Sequence, residues 1–330
     1  MLFNEDKIRK RWYGKGVVSW WSKLVARLFG TMVALRKKLY DLGLLKKHRL
    51  KVPVIIIGNI TAGGGGKTPF VIWLVNHLKS LGYQPGVVSR GYGGKRKVEP
   101  MLVTPNANPL ASGDEPLLIA KSTQRPVVVG KNRVKAAKTL VNNHHVNIVI
   151  SDDGLQHYAL DRQLEVVMLD AQWQTGNGLM IPAGPLREPL ERLETVDMVI
   201  YKGLMASKNY YEIEVLNIYQ LNHPSITKPL ADFRNQKVLV MAGIANPESF
   251  FTLLSAAGLA VVKRPLPDHH EFTEQDFEAE NDMMVLITEK DAVKCEHIQN
   301  TNTWVVAVGI QVNDATVKKV NQLIENISKS

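Results

Sequence analysis

A chain of 330 residues, 45% hydrophobic and 22% charged, has an ordinary globular composition, and its length predicts two domains. Its single cysteine, Cys295, excludes an internal disulfide framework and fits a reducing cytosolic compartment. Residues Met1 to Lys51 hold 14 of the 41 basic and 3 of the 31 acidic residues, so the formal net charge of +10 belongs to this arm. The nearly neutral body disfavours nucleic-acid binding, whereas the basic arm favours a surface anchor.

The first 50 residues contain an amphipathic helix. Its apolar face recurs every three or four residues and consists of Val17, Trp21, Leu24, Leu28, Met32, Leu35 and Leu39. Lys23 and Lys37 fall on the opposite face, and Trp20 adds an aromatic group suited to a bilayer interface. Charges interrupt the run well short of the roughly 20 apolar residues of a membrane span, and no signal-peptide cleavage pattern follows. We predict a segment that lies on an anionic membrane; packing on the protein's own core is the alternative.

A glycine-rich segment between a predicted strand (Val52 to Ile57) and a predicted helix (Phe70 to Leu81) has the context of a phosphate-binding loop. The candidate nucleotide-binding residues are Thr61, Ala62, Gly63, Gly64, Gly65, Gly66, Lys67 and Thr68. Glycines let several backbone N–H groups converge on one anion, and the following helix directs its positive end there. Lys67 would reach the β- and γ-phosphates of ATP, and the Thr68 hydroxyl would be a ligand for Mg²⁺. Because the P-loop pattern has glycine where this chain has Thr61, a flexible glycine linker is the alternative.

Two further predicted elements carry paired carboxylates. The apolar strand Val146 to Ile150 leads into Asp152 and Asp153, as a Walker-B strand does when it supplies a carboxylate to the magnesium ion. Asp-Gly after a strand is also a common turn. Asp114 and Glu115 stand in the first turn of another predicted helix, where helix capping is the ordinary explanation of acidic residues.

Regular patterns stop between Trp173 and Leu193, and this breaker-rich stretch predicts a functional or a disordered loop. Within it, Arg187 stands among prolines and could present a rigid guanidinium to phosphate. Arg133 follows the predicted strand Pro126 to Gly130 and could meet phosphate or be solvated. The pair formed by His269 and His270 lacks further ligands at metal spacing, which favours a catalytic or structural histidine.

The pattern of strands and helices predicts an α/β fold. We expect a P-loop NTPase-type core with a mostly parallel sheet at residues 51–205, including a lid loop near 173–193. A second, smaller α/β domain is expected at residues 206–330, and it begins with an extended ribbon from Tyr210 to Tyr219. Two such units in series predict a cleft between them.

Seven stretches share their order and residues with one known family. They are Gly63 to Pro69, Ser89 to Gly93, Gly113 to Pro116, Asp152 to His157, Pro182 to Pro189, Asp268 to His270 and Thr288 to Asp291. Through them the chain closely resembles the tetraacyldisaccharide 4′-kinase family, the lipid A 4′-kinases of Gram-negative bacteria. The resemblance implies a peripheral kinase at the cytoplasmic face of the inner membrane. Such an enzyme uses ATP and Mg²⁺ to phosphorylate the 4′-hydroxyl of tetraacyldisaccharide 1-phosphate.

The resemblance also implies roles for individual residues. Asp114 paired with His269 corresponds to the base that acts on the sugar hydroxyl, Lys67 holds phosphate, and Arg187 resembles a lid arginine that clamps ATP. The implied metal ligands are Thr68, Glu115, Asp152 and Asp153. Arg133 and Gln156 are implied as secondary contributors to the nucleotide site.

The main alternative is a membrane-recruited P-loop switch ATPase without a lipid substrate. Such a protein would need no base for a sugar hydroxyl, so it leaves Asp114, His269 and the lid loop without a role. A nucleic-acid-binding protein that uses the basic arm is disfavoured by the nearly neutral body. The sequence indicates no obligate protein partner.

Overall fold

The structure is a computed structural model that describes residues 5–14, 16–63, 65–278, 283–300 and 302–329. Its strands are β1 (Val54–Gly58), β2 (Pro85–Ser89), β3 (Met101–Val103), β4 (Val127–Val129), β5 (Ile148–Asp152), β6 (Leu164–Asp170), β7 (Met198–Lys202), β8 (Tyr210–Gln220), β9 (His223–Lys228), β10 (Lys237–Ala242), β11 (Ala260–Pro265), β12 (Met284–Thr288) and β13 (Thr303–Val312). Across the described ranges these strands form one sheet in the order β11-β10-β12-β13-β8-β7-β6-β1-β5-β2-β4-β3, with β9 paired to β8.

Helices connect most of these strands. They are α1 (Glu5–Tyr13), α2 (Trp20–Asp41), α3 (Lys67–Ser80), α4 (Pro109–Ser112), α5 (Asp114–Thr123), α6 (Arg133–Asn143), α7 (Pro247–Ala256), α8 (Glu274–Glu278), α9 (Glu289–Ala292) and α10 (Asp314–Ser328). Short 3₁₀ turns lie at Leu190–Glu194 and Leu230–Phe233. The predicted helix Phe70 to Leu81 is α3, which begins three residues earlier because the left-handed Gly66 immediately precedes it.

Strand β1 is covered on both faces. Successive residues of a strand point to opposite faces of a sheet, so Ile55 and Ile57 pack in one hydrophobic cluster while Val54 and Ile56 pack in another. The first cluster includes the apolar faces of α3 and α10, and the second includes that of α6. Burial on both sides explains why the strand reads as an uninterrupted apolar run.

The strands β6, β1, β5, β2 and β4 are parallel neighbours, as expected for strands joined through helices. In their register, Ile57 pairs with Asp152 on one side and with Val166 on the other. The carboxyl ends of β1 and β5 therefore lie side by side. This edge of a parallel sheet is where ligands bind in α/β proteins.

The two predicted α/β units share a continuous sheet. Strand β8 pairs in parallel with β7 through Tyr201 and Tyr210, and antiparallel with β13 over most of its length. It also forms the predicted ribbon with β9, where Ile218 pairs with Lys228. The parallel strands β10, β11, β12 and β13 extend the sheet beyond this junction. The domain division at residue 205 stays a prediction, since the sheet crosses it.

Helix α2 contains the predicted amphipathic stretch and presents its apolar face outward. Among its residues Ala26 is buried, whereas Trp20, Trp21, Leu28 and Met32 are each at least 60% exposed. In the part of the chain that the structure describes, no helix combines the length and hydropathy that crossing a membrane requires.

Helix α1, which the sequence patterns did not predict, packs on the loop after β6. The Trp12 carbonyl accepts a hydrogen bond of 2.8 Å from the Asn177 backbone, and the ring of Tyr13 lies 5.3 Å from that of Trp173. The Tyr13 hydroxyl also donates to the carbonyl of Ala62, at 3.4 Å. The N-terminal helix thus contacts both the loop near 173–193 and the glycine-rich loop.

Candidate active site

The glycine-rich loop joins β1 to α3, as its sequence predicts. Gly66 has φ +72° and immediately precedes α3, and its carbonyl accepts a hydrogen bond of 2.5 Å from the Tyr211 hydroxyl. Lys67 begins the helix and donates to Asn59 Oδ1 over 3.2 Å. Thr68 follows in the first helical turn, where its hydroxyl lies near the helix N-terminus. Gly64 lies outside the described residues.

Asp153 connects this loop to the lid loop. Its carboxylate is 3.4 Å from Lys67 Nζ and 3.0 Å from Arg187 Nη2. Arg187 also donates to the carbonyl of Asn59 over 2.9 Å, which holds its guanidinium beside the glycine-rich loop. Burial by itself raises the pKa of Asp153, yet the charges of Lys67 and Arg187 hold that pKa well below its usual range.

Asp152 is buried, and half of its carboxylate is unsatisfied. Oδ2 accepts a hydrogen bond of 3.1 Å from Ser89, whereas no described group lies within hydrogen-bonding distance of Oδ1. Burial and then the nearby charge of Glu115 raise the pKa of Asp152 to about 7. A buried, repelled carboxylate with an orphaned oxygen is what a cation would relieve.

These residues fit a magnesium ion that also uses phosphate oxygens. The described side chains contain no cluster of three His, Cys, Asp or Glu residues that could hold a metal alone. Magnesium in phosphoryl-transfer sites is commonly held by one or two carboxylates with waters and substrate phosphates. Asp152 and the Thr68 hydroxyl suit such a site, and the other two candidate ligands are ion-paired, Asp153 with Lys67 and Arg187 and Glu115 with Lys290.

Asp114 and His269 meet although 155 residues separate them in sequence. Asp114 is buried at the start of α5, and His269 Nδ1 lies 2.9 Å from its Oδ2. Because a carboxylate only accepts, Nδ1 carries the proton of this hydrogen bond. The hydrogen bond that His269 donates to Asp114 raises the pKa of His269. Burial by itself raises the pKa of Asp114, but His269 and Lys290 outweigh it and hold that pKa below its usual value.

Sequence reasoning gave no site role to Asn59 or Lys290. Asn59 follows β1 and accepts from both Lys67 and Arg187, so it sets the position of two candidate phosphate ligands. Lys290 Nζ lies 3.2 Å from Glu115 and 3.3 Å from Asp268. The sequence signal that could have indicated a site role for Lys290 was its position in the Thr288 to Asp291 stretch, directly after a strand.

Arg133 is buried near the aspartates. Its Nη1 donates to the Gly130 carbonyl over 3.0 Å, and its Nε is buried without a partner among the described groups. Burial lowers the pKa of Arg133 to about 10, against the opposing charges of Asp152 and Asp153. The guanidinium therefore remains a cation at neutral pH and lies close enough to the site to act on its electrostatics.

Gln156 supports the lid loop. Its side-chain amide donates to the Asn59 carbonyl over 3.1 Å and to Glu188 over 2.8 Å. Glu188 in turn accepts from Tyr158 and Arg192, so a buried polar network fixes the loop on the C-terminal side of Arg187. The loop is also paired with the glycine-rich segment, where Thr61 bridges to Leu186 and the Ala62 N–H donates to the Pro185 carbonyl. The structure thus gives Gln156, Thr61 and Ala62 scaffold contacts, and their contact with a nucleotide stays a prediction.

Known proteins share sequence with this chain over most of its length. The sequence model of the family described as Tetraacyldisaccharide-1-P 4'-kinase matches residues 18–326. The chain belongs to this family. A tetraacyldisaccharide 4'-kinase of Methylobacillus flagellatus is 43% identical over 320 residues, which cover 95% of this chain and 94% of that protein. A tetraacyldisaccharide 4'-kinase of Coxiella burnetii is 43% identical over 300 residues, covering 91% of this chain and 89% of that protein.

A solved structure gives the same result for the fold. The crystal structure of "apo" form LpxK from Aquifex aeolicus in complex with ATP has a TM-score of 0.76 and 28% identity, and it covers 92% of this chain and 97% of that one. The predicted α/β fold with a P-loop NTPase-type core is confirmed. Membership of the tetraacyldisaccharide 4'-kinases also confirms the predicted kinase activity, and nothing in these comparisons supports a switch ATPase.

Proposed function

We propose that this chain binds ATP on the loop of residues 61–68 and transfers its γ-phosphate to the 4′-hydroxyl of tetraacyldisaccharide 1-phosphate, giving a lipid phosphorylated at positions 1 and 4′. The observation that carries the proposal is the 2.9 Å contact between Asp114 and His269, formed from distant parts of the chain. A carboxylate oriented by an imidazole suits proton removal from a weakly acidic sugar hydroxyl. The family supplies the chemical class of the acceptor.

In this mechanism the 4′-oxygen attacks the γ-phosphorus while the bond to the β-phosphate oxygen breaks and ADP leaves with the electron pair. Asp114 accepts the hydroxyl proton, and His269 holds the carboxylate in place. Lys67 and Arg187 exchange their contacts with Asp153 for phosphate oxygens and neutralise negative charge there. Thr68, Glu115 and Asp152 would hold a magnesium ion, which would supply positive charge that stabilises the negative charge on the transferred group.

The exposed apolar face of α2 supports a membrane-surface location. Trp20 and Trp21 stand outward near its start, and basic side chains flank the apolar stripe. Such a helix binds in the plane of an anionic bilayer. The acyl chains of the substrate anchor it in the same bilayer with its sugar headgroup at the interface, so the helix would bring the active site to its acceptor, at the cytoplasmic face of the inner membrane where ATP is available.

An assay with γ-labelled ATP and lipid disaccharide 1-phosphate in anionic vesicles tests the proposal. We expect label on the lipid from the wild type, and Asp114→Asn to lower kcat by about 10²-fold or more while the Kd for ATP changes less than about threefold. Asp232→Asn, at an exposed aspartate of a 3₁₀ turn, is the matched control and should keep full activity. Hydrolysis without label on the lipid would reject the kinase, and loss of ATP binding in Asp114→Asn would reject Asp114 as the base.

A further inference from the structure

Lys290 sits among three carboxylates. It is the second residue of α9, directly after β12, and its side chain is 16% exposed. Its Nζ lies 3.2 Å from Glu115 Oε1, 3.3 Å from Asp268 Oδ1 and 3.9 Å from Asp114 Oδ2. Two of these carboxylates belong to the first turn of α5, and the third belongs to the loop that carries His269. One ammonium group therefore joins both sides of the Asp114–His269 contact.

We propose that Lys290 is a positioning residue that holds the loop of His269 against the first turn of α5, so that the imidazole meets Asp114. The inference rests on the proposed function, in which the Asp114–His269 pair acts on the acceptor hydroxyl. Lys290 is not assigned a contact with substrate. Its effect on phosphate transfer is exerted through the pair.

Hydrogen bonds of Asp291, the next residue, fix the start of α9 and so the position of Lys290. The Asp291 side chain accepts from the Thr288 hydroxyl over 2.8 Å and from the Gly243 N–H over 3.1 Å. The Gly243 carbonyl accepts in turn from the His269 N–H over 3.2 Å. The start of α9 and the backbone of His269 are therefore linked through Gly243. The Lys290 ammonium group connects both of them to the first turn of α5.

Electrostatics explains why this position requires a cation. Asp114 is buried, and Glu115 and Asp268 approach the same point from two directions. Without Lys290, three negative groups would share one region and would repel the loop from α5. His269 also has φ +62°, a left-handed conformation that costs free energy in a non-glycine residue and needs support from its surroundings.

The test compares Lys290→Gln with Lys121→Gln. Lys121 also links α5 to the segment after α9, through an ion pair with Glu296, but it contacts neither Asp114 nor Asp268. We expect Lys290→Gln to lower kcat for phosphate transfer by about 30-fold with the Kd for ATP within about threefold of wild type, and Lys121→Gln to stay within about twofold. A change in Kd as large as that in kcat would overturn the inference, as would equal effects of the two variants.

A double-mutant cycle separates positioning from a general loss of structure. If Lys290 acts through His269, adding Lys290→Gln to His269→Gln should lower kcat by less than about threefold further. Independent multiplication of the two losses would overturn the inference. Asp268→Asn removes the charge that pairs with Lys290, and Asp268 Oδ1 also accepts from the His269 N–H over 3.1 Å, so this variant should lower kcat by about fivefold in a well-folded protein. Full activity of that variant would also overturn it.

The wild-type control distinguishes this inference from the proposed function. A wild type that places no label on the lipid contradicts the proposed function and removes the basis of the inference. A wild type that labels the lipid, together with a fully active Lys290→Gln variant, contradicts the role of Lys290 alone.

Discussion

Gly66 shows how closely the glycine-rich loop is packed by residues from a distant strand. A Cβ at this position would overlap the Tyr211 hydroxyl and lie 2.7 Å from Lys202 Cδ, and the residue has φ +72°. Steric overlap and backbone conformation therefore both require glycine. Neither requirement comes from contact with a nucleotide.

We expect Gly66→Ala to lower the free energy of unfolding by about 3 kcal/mol or more and to weaken ATP binding at least about tenfold, because the loop must shift away from Tyr211. Gly43→Ala is the matched control, since Gly43 has φ +74° with nothing within 4 Å of an added Cβ. Gly43→Ala should lower the free energy of unfolding by about 1 kcal/mol, from backbone strain alone. Urea unfolding and calorimetric titration with ATP measure both quantities, and equal losses would contradict the packing argument.

His157 gives the protein a pH-dependent stability. Its pKa is lowered from 6.5 to about 4 by burial and then by the charges of Arg133 and Arg162. Between pH 6.5 and pH 4 the unfolded chain binds more protons than the folded one. The contribution of neutral His157 to the free energy of unfolding is therefore fully present above pH 6.5 and is lost as pH falls through 4. Allowing for solvent screening, we expect the wild type to lose about 1 kcal/mol more than His157→Gln between pH 7 and pH 5.

Urea unfolding at the two pH values measures this difference. His223→Gln, at an exposed histidine of β9, is the control and should follow the wild type. Parallel pH profiles for the wild type and His157→Gln would contradict a neutral, half-buried His157.

Residue types and positions relative to predicted strands were sufficient to predict site roles for Lys67, Asp152 and Asp153. They could not predict a site role for Asn59, because an asparagine between a strand and a glycine run occurs in many structural contexts. Its role appears only when Arg187 folds back onto it from the lid loop. Lys290 was missed for the same reason, since its three partners come from two distant segments.

At the scale of elements, α2 is a long helix whose apolar face is unpartnered within the described chain. We expect charge reversal at Lys23, Arg27, Lys37 and Lys38 to weaken binding to anionic vesicles by at least about tenfold, because each basic group near such a surface contributes about 1 kcal/mol. Vesicle co-sedimentation at fixed ionic strength measures the partition.

Charge reversal at Lys237, Lys318, Lys319 and Lys329 is the matched control for α2, because it changes the net charge equally at exposed positions on other elements. These substitutions should leave vesicle binding within about twofold of wild type. Equal losses from both sets would indicate that net charge, and not the helix, determines binding.

Strand and helix positions were largely predictable because apolar periodicity is local. The predicted strands Val52 to Ile57, Pro126 to Gly130 and Val146 to Ile150 correspond to β1, β4 and β5, which begin one or two residues later. Helix α1 was not predicted, since only Ile8 and Trp12 form its short apolar face and its contacts are made by Trp12 and Tyr13 at its end. Sheet order was not predictable either, because β8 selects β7 and β13 through long-range pairing.

At the scale of the whole molecule, the glycine-rich loop depends on the C-terminal part of the chain. Tyr211 from β8 and Val320, Ile324 and Ile327 from α10 belong to the same hydrophobic cluster as Phe70 of α3. The last helix therefore completes the core that supports the ATP site. The predicted domain boundary near residue 205 does not separate two cores, since residues on both sides of it belong to this cluster.

We expect truncation after Asn313, which removes α10, to abolish cooperative unfolding and ATP binding at 25 °C, because the loss of several buried aliphatic groups costs more than the stability of a typical domain. Truncation after Ser328 keeps the whole helix and is the control. A fragment of residues 1–313 that unfolds cooperatively and binds ATP would instead show that the ATP site is stable without α10.

The placement of α10 has a consequence for biosynthesis. During translation the glycine-rich loop leaves the ribosome more than two hundred residues before the helix that packs beside α3. The nascent chain therefore exposes the part of the apolar surface of α3 that α10 covers until synthesis is almost finished, and chains released early lack a complete core beside the ATP site. Only chains that include α10 would then form an active kinase.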